Sequence, residues 1–538
     1  MDDHSEGSLI EMGHAHLQKQ KIIRKPLRRT SFLLYCVTAA NWCDIGGVTV
    51  DILPDDVLLV IFDYYVAEAD EVCEYYEEWQ ILVHVCQKWR YVVFQSPLRL
   101  NIRILCSART RVREKLALWP PLPIIIQQYG FSTSKCAEDN IIAALGRNDR
   151  VCQIALIIPG SLLESIFAAM QKTFVTLKHL WLNATDGRAS LVPNSFLGGS
   201  ASHLQRLSLI RIPFLFPVLR KLLLSAPNLV ILSLRNIPHS GYLSPEAMVT
   251  CLSTLTRLKL LDIGFESPLS RPPREGRYPP PTRSVIPALT ELTFFGVSEY
   301  SEDLVARIDA PLLNQLHIIF FHQLIFDSPQ LQLAQFLSRS PKLKAYDEAR
   351  VTFSDSRAAI SLPERDNPGL QLEISCRRSD WQLSSLAQVC ASSFPQALIP
   401  MLENLYILED VSLRPRWQDD LKNSQWLELF HPFTTVKNLY LSQEFTPRIV
   451  PALQELVGER VSEVLPNLES VFLEDLRESG IVPESMQQFI AARQLSSRPI
   501  AISHWSHLLD NTSFGSSDTN HSIFGVTMNQ AHLYDSDV

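Results

Sequence analysis

The chain has 538 residues, which at roughly 100–200 residues per domain is enough for two to four domains or one long repeat array. Hydrophobic residues make up 46% and charged residues 20%, which argues against wholesale disorder and against a fibrous chain. The net charge of −8 gives no overall attraction to nucleic acid or to an acidic membrane, so we expect neither as a partner.

The ten cysteines form no CxxC pair and no short cluster with histidine at the spacing of zinc ligands. We interpret them as reduced, mostly buried thiols of a protein in the cytoplasm, the nucleus or both. Residues 1–50 carry a basic stretch and a short apolar run but no signal-peptide pattern, and the run is shorter than the roughly 20 residues that span a bilayer. These residues are predicted to be a partly disordered leader.

Residues 51–100 contain the first strong signal, a pair of predicted amphipathic helices. In DILPDDVLLVIFDYYV the apolar residues recur at helical spacing, and Pro54 suits the first helical position because it lacks an N–H. The segment WQILVHVCQKWRYVVF repeats the period and stops before Ser96 and Pro97. Two such helices are too short for an independent core, so they need each other and a further partner.

The order LPDDVLLVIFDYY, a break, and then LVHVCQKWRYVVFQSPLRL resembles the F-box motif, and most closely the F-box-like proteins abundant in mushroom-forming fungi. The resemblance implies that this module binds the Skp-family adaptor, and through it the cullin, of an SCF-type ubiquitin ligase. The connection at 67–78, AEADEVCEYYEE, is longer and more acidic than that of a standard F-box. The residues that the resemblance assigns to the adaptor interface are Leu53, Pro54, Leu58, Ile61, Phe62, Leu82, Val83, Val85, Cys86, Trp89 and Arg90.

A leucine repeat organises the rest of the chain. The pattern LxxLxL, or a near relative, recurs nine times at spacings of 24 to 34 residues within each set, close to the 20–29 residues of a leucine-rich repeat. In an extended strand the fourth and sixth positions point to the same side, so each repeat buries an apolar pair and turns the residue between them outward. The nine motifs begin at Leu177, Leu204, Leu229, Leu258, Leu289, Leu313, Leu402, Val436 and Leu468.

The predicted fold class is α/β, a short α-helical F-box-like module followed by an irregular leucine-rich-repeat solenoid, a horseshoe with parallel strands. Helical returns separate the strands, and the gap in the repeats is predicted to conceal two more strands, at 343–346 and 370–374. A doubly wound enzyme would also alternate strands and helices, but GxGxxG and GxxxxGK[ST] are absent.

The predicted domain boundaries follow from these patterns. Residues 101–170 are expected to form connecting and capping coils with strands at 116–126 and from Val151, residues 171–503 the solenoid, and residues 504–538 a polar tail. The proline-rich segment 267–287 is expected to leave the solenoid as an extended loop.

We find no catalytic constellation: GxSxG, HExxH, a kinase motif set and EF-hand spacing are all absent. The pair His504 and His507 lacks a third metal ligand nearby in sequence and is interpreted as two surface histidines. We therefore predict no enzymatic activity, no catalytic residue, no cofactor, no metal and no small-molecule substrate.

The sequence favours a non-catalytic substrate receptor, in which the module holds the adaptor and the strand face of the solenoid binds a target protein. Candidate target-binding residues are the aromatic residues between the buried pairs, Trp181, Tyr406, Tyr440 and Phe472, with Ser208, Ser233, Asp262, Thr293 and His317 at equivalent positions. The alternative is a protein-interaction scaffold whose helical hairpin is not coupled to a ligase, which the long acidic connection favours. The target protein itself is not identified by the sequence.

Overall fold

The computed structural model describes residues 53–62, 82–83, 85–95, 101–118, 121–129, 134–188, 190–270, 282–321, 332–343, 346–364, 367–392, 401–410, 421–456, 458–474 and 484–505. The chain divides into two compact units, Met1–Leu100 and Asn101–Val538. The predicted leader, the acidic connection at 67–78 and the centre of the proline-rich segment lie outside the described residues. Within the described residues, no helix is long and apolar enough to cross a bilayer.

The first unit contains two helices in its described part, α1 at residues 55–62 and α2 at Gln87–Gln95. Helix α1 starts directly after Pro54, whose carbonyl accepts the first helical hydrogen bond from the Leu58 N–H at 3.1 Å. This is the position at which proline is tolerated, because the N–H that it lacks would have had no partner inside the helix.

The second unit is built on a 16-stranded sheet, formed by all but two of the strands among the described residues. The remaining two, β8 and β10, pair with each other. The strands are β1 (Ile102–Leu105), β2 (Ile124–Gln128), β3 (Val151–Ile158), β4 (His179–Ala184), β5 (Arg206–Ile210), β6 (Ile231–Ile237), β7 (Leu260–Phe265), β8 (Ser284–Val285), β9 (Glu291–Gly296), β10 (Ile308–Asp309), β11 (Gln315–Phe321), β12 (Glu348–Phe353), β13 (Arg357–Glu364), β14 (Asn367–Ser375), β15 (Asn404–Glu409), β16 (Asn438–Leu441), β17 (Ser470–Glu474) and β18 (Ala501–Trp505).

Helices return the chain from most strands to the next, and successive helices pack against one another. In two of them, Phe216–Leu224 and Pro245–Leu252, a proline occupies one of the first two helical positions, where its missing N–H has no partner inside the helix. The helices of the second unit are α3 (Val112–Leu118), α4 (Lys135–Leu145), α5 (Leu163–Ala169), α6 (Phe216–Leu224), α7 (Pro245–Leu252), α8 (Ser298–Arg307), α9 (Gln332–Arg339), α10 (Ser379–Ser392), α11 (Asn423–Phe430), α12 (Thr446–Gln454) and α13 (Glu484–Leu495).

The leucine motifs set the register of the sheet. Each of the nine motifs enters its strand at its third residue, so that the fourth positions align across parallel neighbours, for example Leu180 with Leu207 and Leu207 with Leu232. The sixth positions align in the same way, and both rows are buried. The predicted solenoid with parallel strands is therefore confirmed, with the leucine rows as its core.

One strand departs from the parallel arrangement. Strands β12, β13 and β14 form a meander in which β13 runs antiparallel to both neighbours, while β14 pairs with β11 and β12 pairs with β15. A tight turn between β12 and β13, closed by the Ser354 N–H donating to the Arg357 carbonyl at 2.7 Å, reverses the chain without a helix. This meander fills the gap between the two sets of leucine motifs.

Two strand predictions need correction. The strand predicted at 343–346 is wrong, because Pro341–Leu343 forms a 3₁₀ turn and the strand begins at Glu348; the strand predicted at 370–374 is confirmed inside β14. The strand predicted at 116–126 starts only at Ile124, because residues 112–118 form helix α3, which is followed by the prolines of LALWPPLP. The last described strand runs to Trp505, two residues beyond the predicted end of the solenoid, and the rest of the predicted tail lies outside the described residues.

Candidate functional site

The helical pair of the first unit has a buried side. Leu58 and Phe62 of α1 are fully buried, and Trp89 of α2 lies against Phe62 with ring centroids 5.0 Å apart in an edge-to-face arrangement. Leu82 and Val83 are buried as well. These five residues, all predicted to face the adaptor, are therefore interior residues of this chain.

The opposite side of α1 presents apolar residues to solvent. Val57, Val60 and Ile61 are 40%, 52% and 37% exposed, and their i, i+3, i+4 spacing places them on one stripe of the helix. Contiguous exposed apolar side chains commonly mark an interaction site. Of these three residues, the F-box resemblance had assigned Ile61 to the adaptor interface and had not assigned Val57 or Val60, which fall outside the predicted apolar stripe.

Around α2 the exposed apolar residues are Val85, Tyr91 and Phe94. Val85 was predicted as an adaptor contact, whereas Tyr91, which is 60% exposed, and Phe94 were not. Among the described residues of the first unit, six large apolar side chains are exposed, and we refer to them together as the apolar surface: Val57, Val60, Ile61, Val85, Tyr91 and Phe94.

The remaining predicted adaptor residues lie around this pair. Arg90 is exposed, but its Nε donates to the Val83 carbonyl at 2.9 Å, so part of its guanidinium is engaged within the unit. Pro54 is exposed, and Leu53 and Cys86 are half-buried. The Leu53 carbonyl accepts a hydrogen bond from Lys88 Nζ at 2.7 Å, which ties the start of α1 to α2.

The second candidate surface is the side of the sheet that carries the fifth residue of each LxxLxL motif, which we call the open face. On this side Ser208 aligns with Ser233, Asp262 with Thr293, and Thr293 with His317. Ser208, Thr293 and His317 are half-buried, in contrast to the leucine rows. The strand register therefore places the fifth positions on the open face, which is the outward direction that the sequence predicts.

Trp181 does not present its ring to solvent. It is only 7% exposed and belongs to a small apolar cluster on the open face with Ala155 and Ile157. Tyr129 and Ile210 pack against the same cluster. The neighbouring position, Ala155, is small, so the indole lies over the sheet and is covered.

Asp262 is occupied by contacts within the chain. It is 4% exposed, and its Oδ2 accepts hydrogen bonds from Ser233 Oγ at 2.9 Å and from Arg235 Nε on the adjacent strand. A carboxylate that is held in this way stabilises the pairing of β6 and β7.

A second charged group lies further along the open face. Glu373 on β14 has its carboxylate 3.6 Å from His317 Nε2 and 3.3 Å from the Arg357 guanidinium. Glu373 is buried, and the Arg357 guanidinium is the permanently charged neighbour that offsets its carboxylate.

Near the C-terminal end of the sheet the open face carries a row of stacked rings, which we call the aromatic ladder: Tyr406, Tyr440 and Phe472. The centroids of Tyr406 and Tyr440 are 4.2 Å apart and those of Tyr440 and Phe472 are 4.4 Å apart, with nearly parallel planes. All three residues are half-buried, so their ring edges reach the surface.

Two further residues frame the aromatic ladder. The Arg350 guanidinium lies over the Tyr406 ring, 5.3 Å from its centroid, and Arg350 Nε donates to Glu348 at 2.9 Å. The Trp505 ring meets Tyr406 and Tyr440 edge-on, and its Nε1 donates to the Leu441 carbonyl at 3.2 Å. Burial, and then the adjacent Tyr440, raises the pKa of the Tyr406 hydroxyl well above its usual value.

The described residues offer little for covalent or metal chemistry. Within the described ranges, no group of three or more His, Cys, Asp or Glu side chains is arranged to hold a metal ion. Burial raises the pKa of the Cys106 thiol to about 12 and that of Cys251 to about 11, so both are neutral at physiological pH, whereas a nucleophilic cysteine needs the thiolate.

Comparison with known proteins finds similarity among solved structures. No family model matches the chain, and no curated protein matches it in sequence. Among solved structures, the leucine-rich repeat-containing protein LegL7 from Legionella pneumophila is similar at 14% identity, with 74% of this chain and 98% of that chain covered and a TM-score of 0.26. A chain of the Rad7 and Elc1 complex in yeast is similar at 11% identity, with 92% and 100% covered and a TM-score of 0.25. Scores this low leave the fold assignment to the strand register and the buried leucine rows.

Proposed function

We propose that the protein is the substrate-recognition subunit of an SCF-type ubiquitin ligase in the cytoplasm, the nucleus or both. The helical pair of the first unit binds a Skp-family adaptor, and through it a cullin. The open face of the solenoid binds a target protein. The chain itself performs no chemistry; it raises the local concentration of the target's lysines near a charged ubiquitin carrier.

The observation that supports this function best is the apolar surface of the first unit. If α1 had a single apolar stripe and buried it, the helix would only contribute to the core of the chain. Helix α1 buries one stripe, Leu58 and Phe62, and exposes a second one to solvent, formed by Val57, Val60 and Ile61. Burying three such side chains in a partner contributes several kcal/mol at about 25 cal/mol per Å². The F-box resemblance of the segment that contains these residues supports a Skp-family adaptor as the partner.

The solenoid supports the target-binding half of the proposal. Parallel repeats present one side chain per strand in register, which gives an extended surface on which a protein target contacts several strands at once. The aromatic ladder and Arg350 provide the tyrosine, phenylalanine and arginine side chains that are commonly found at the energetic centres of interfaces.

The experiment is co-purification of the full chain with a Skp-family adaptor and a cullin, comparing wild type with Val60→Asp. A carboxylate in the middle of the exposed stripe is expected to abolish adaptor capture without touching the buried residues. Leu224→Asp is the matched control, because Leu224 is 49% exposed at the end of α6 and lies in the other unit. Trp89→Ala is unsuitable, since Trp89 is buried and its loss would disturb the helical pair itself.

Two results would count against the proposed function. If the folded wild-type chain captures no adaptor, the alternative of an interaction scaffold uncoupled from a ligase replaces it. If Val60→Asp and Leu224→Asp reduce capture equally, the adaptor does not use the apolar surface.

A further inference from the structure

We propose that the aromatic ladder is the docking site for a lysine- or arginine-rich segment of the target protein, with one cationic side chain lying over the outer ring face of Phe472. The inference deepens the proposed function and rests on it in one respect: the occupant is a segment of the target.

The two ends of the aromatic ladder differ. At the first end the ring face of Tyr406 is covered by the Arg350 guanidinium, at a distance within the roughly 6 Å of a cation–π contact. In the middle both faces of Tyr440 are covered by its neighbours. At the far end Phe472 aligns with Ser503 of β18, whose small side chain is exposed. Among the described residues, no side chain stacks on this face of Phe472.

A group that stacks on the outer ring face of Phe472 would lie above Ser503 and would carry a positive charge. Adjacent strands lie about 4.8 Å apart, so a planar guanidinium or an extended lysine side chain above Ser503 would continue the row at the spacing of the existing rings. Strand β18 is the last of the described strands in the order of the sheet, so this place lies at the edge of the described sheet. A cation there would repeat the contact that Arg350 makes at the first end.

Charge around the far end favours a cation over an anion. Glu474 follows Phe472 by two residues on the same strand, so both side chains point to the open face. In the pairing of β17 with β18, Glu474 aligns with Trp505. It is half-buried, and its carboxylate accepts the Gln443 N–H at 3.2 Å. A carboxylate next to a ring face attracts a cationic side chain and repels an acidic one.

The same sign of charge is found at the described ends of β15, β16 and β17. Residues 409–410, 442–445 and 474 include Glu409, Asp410, Glu444 and Glu474 and no lysine or arginine. A basic segment that crosses the ends of these strands would be attracted by these carboxylates.

The test measures binding of labelled peptides to the full chain by fluorescence anisotropy, at roughly physiological salt. The probes are a peptide of alternating arginine and glycine, its lysine counterpart and its glutamate counterpart. Phe472→Leu removes the ring face, Glu474→Gln removes the charge but keeps an acceptor for Gln443, and Ser503→Trp fills the place above Ser503 with a ring of the chain itself.

The matched controls lie elsewhere on the same unit. Phe295→Leu removes another ring of the open face, which packs on Phe321 at 4.5 Å, and Glu246→Gln removes an exposed carboxylate from the first turn of α7. Each control makes the same type of substitution as a test variant, phenylalanine to leucine or glutamate to glutamine. They separate a local contact from general attraction to an acidic protein.

We expect the arginine and lysine peptides to bind and the glutamate peptide not to bind. Phe472→Leu, Glu474→Gln and Ser503→Trp should each weaken binding about three- to tenfold, and the controls less than about twofold. The inference is overturned if wild type does not bind the basic peptides, if the controls weaken binding as much as the test variants, or if Ser503→Trp binds as well as wild type.

Adaptor capture distinguishes this inference from the proposed function. Phe472→Leu should retain the adaptor, because the residue lies in the other unit. Loss of peptide binding with the adaptor retained locates the defect on the open face, whereas wild type that binds the peptides but captures no adaptor overturns the ligase function and leaves the cationic docking site in place.

Discussion

The Tyr440 ring lies parallel to the Phe472 ring, with centroids 4.4 Å apart and an interplanar angle of 8°. The two residues are direct partners in the parallel pairing of β16 and β17, and Tyr406 is the direct partner of Tyr440 on the other side. Because parallel strands hold equivalent side chains at one spacing, in-register aromatic residues stack along the sheet. The stacked row of rings is therefore a consequence of the register of the repeat, and it also forms part of the open face.

Replacing the central ring should loosen three strands together. Tyr440→Leu keeps an apolar side chain but removes both stacking contacts, each worth about 0.5–1.5 kcal/mol beyond the area that it buries. We expect faster hydrogen exchange in β15, β16 and β17 and a local opening free energy lower by about 1–3 kcal/mol. Hydrogen exchange with mass spectrometry measures this strand by strand.

Thr293→Ala is the control for Tyr440→Leu, since Thr293 is the equivalent residue of β9 and makes no ring contact in the described structure. Its effect should stay below about 0.5 kcal/mol, the usual range for surface substitutions. Equal loosening by the two variants would mean that the stacking does not stabilise this end of the sheet.

The sequence was sufficient to predict the strands that carry a leucine motif, because burial of one side of a strand fixes its side-chain alternation and its register. It was insufficient where that pattern is absent. The strands of the meander, β12, β13 and β14, alternate in burial like other half-buried strands, so this alternation does not predict whether they run parallel or antiparallel. Their direction is set by the tight turn at Ser354 to Arg357 and by long-range pairing.

Asp262 should stabilise the sheet through its hydrogen bonds. Asp262→Ala leaves Ser233 Oγ without its buried acceptor and Arg235 without its carboxylate, which costs about 1–3 kcal/mol. Hydrogen exchange in β6 and β7 should rise, and peptide binding at the aromatic ladder should not change. Ser233→Ala, which removes only the neutral donor, should cost less; a larger effect than that of Asp262→Ala would contradict this account.

Glu302 should make local stability depend on pH. Its Oε2 accepts the backbone N–H groups of Gln332 and Leu333 at the start of α9, and burial raises the pKa of its carboxyl to about 7. The folded state therefore holds a proton that the unfolded state releases between the ordinary pKa of 4.5 and about 7. The stabilisation is complete below the lower value and declines as the pH rises to the upper one, by about 3 kcal/mol in total.

Glu302→Gln removes this dependence, because the amide does not titrate and its oxygen still accepts from the helix start. The variant should be more stable than wild type above about pH 7, and the difference should shrink towards about pH 5. Hydrogen exchange of α9 at several pH values measures it. Glu246→Gln, on an exposed carboxylate, should leave the pH profile as in wild type, and a pH-independent difference for Glu302→Gln would refute the titration.

In the first unit, the sequence predicted the two helices but not which side of α1 is buried. Helical periodicity groups Ile61 with Leu58 and Phe62, but the structure buries Leu58 and Phe62 and leaves Ile61 exposed. The exposed stripe of Val57 and Val60 becomes visible only when the partner of the buried stripe, Trp89, is in place. On the open face, Trp181 is covered because its neighbours are apolar, which a single-strand pattern does not show.

Arg493 should hold the last coils of the solenoid together. Its side chain is fully buried, and its two terminal nitrogens donate to the Val461 carbonyl at 3.1 Å and the Leu468 carbonyl at 2.9 Å. Burial, and then the nearby Arg498, lowers the pKa of Arg493. Arg493→Ala leaves a cavity and two buried carbonyls without donors, which should cost about 3 kcal/mol or more.

Arg493→Lys should cost less than Arg493→Ala, since an ammonium group still donates to one of the two carbonyls. Arg498→Ala is the control: Arg498 is exposed and donates to the Pro466 carbonyl at 2.7 Å, and its loss should cost less than about 1 kcal/mol. Limited proteolysis and hydrogen exchange of residues 458–474 report the opening of these coils. If Arg498→Ala opens them as readily as Arg493→Ala, the buried guanidinium is not what holds β17 and α13 together.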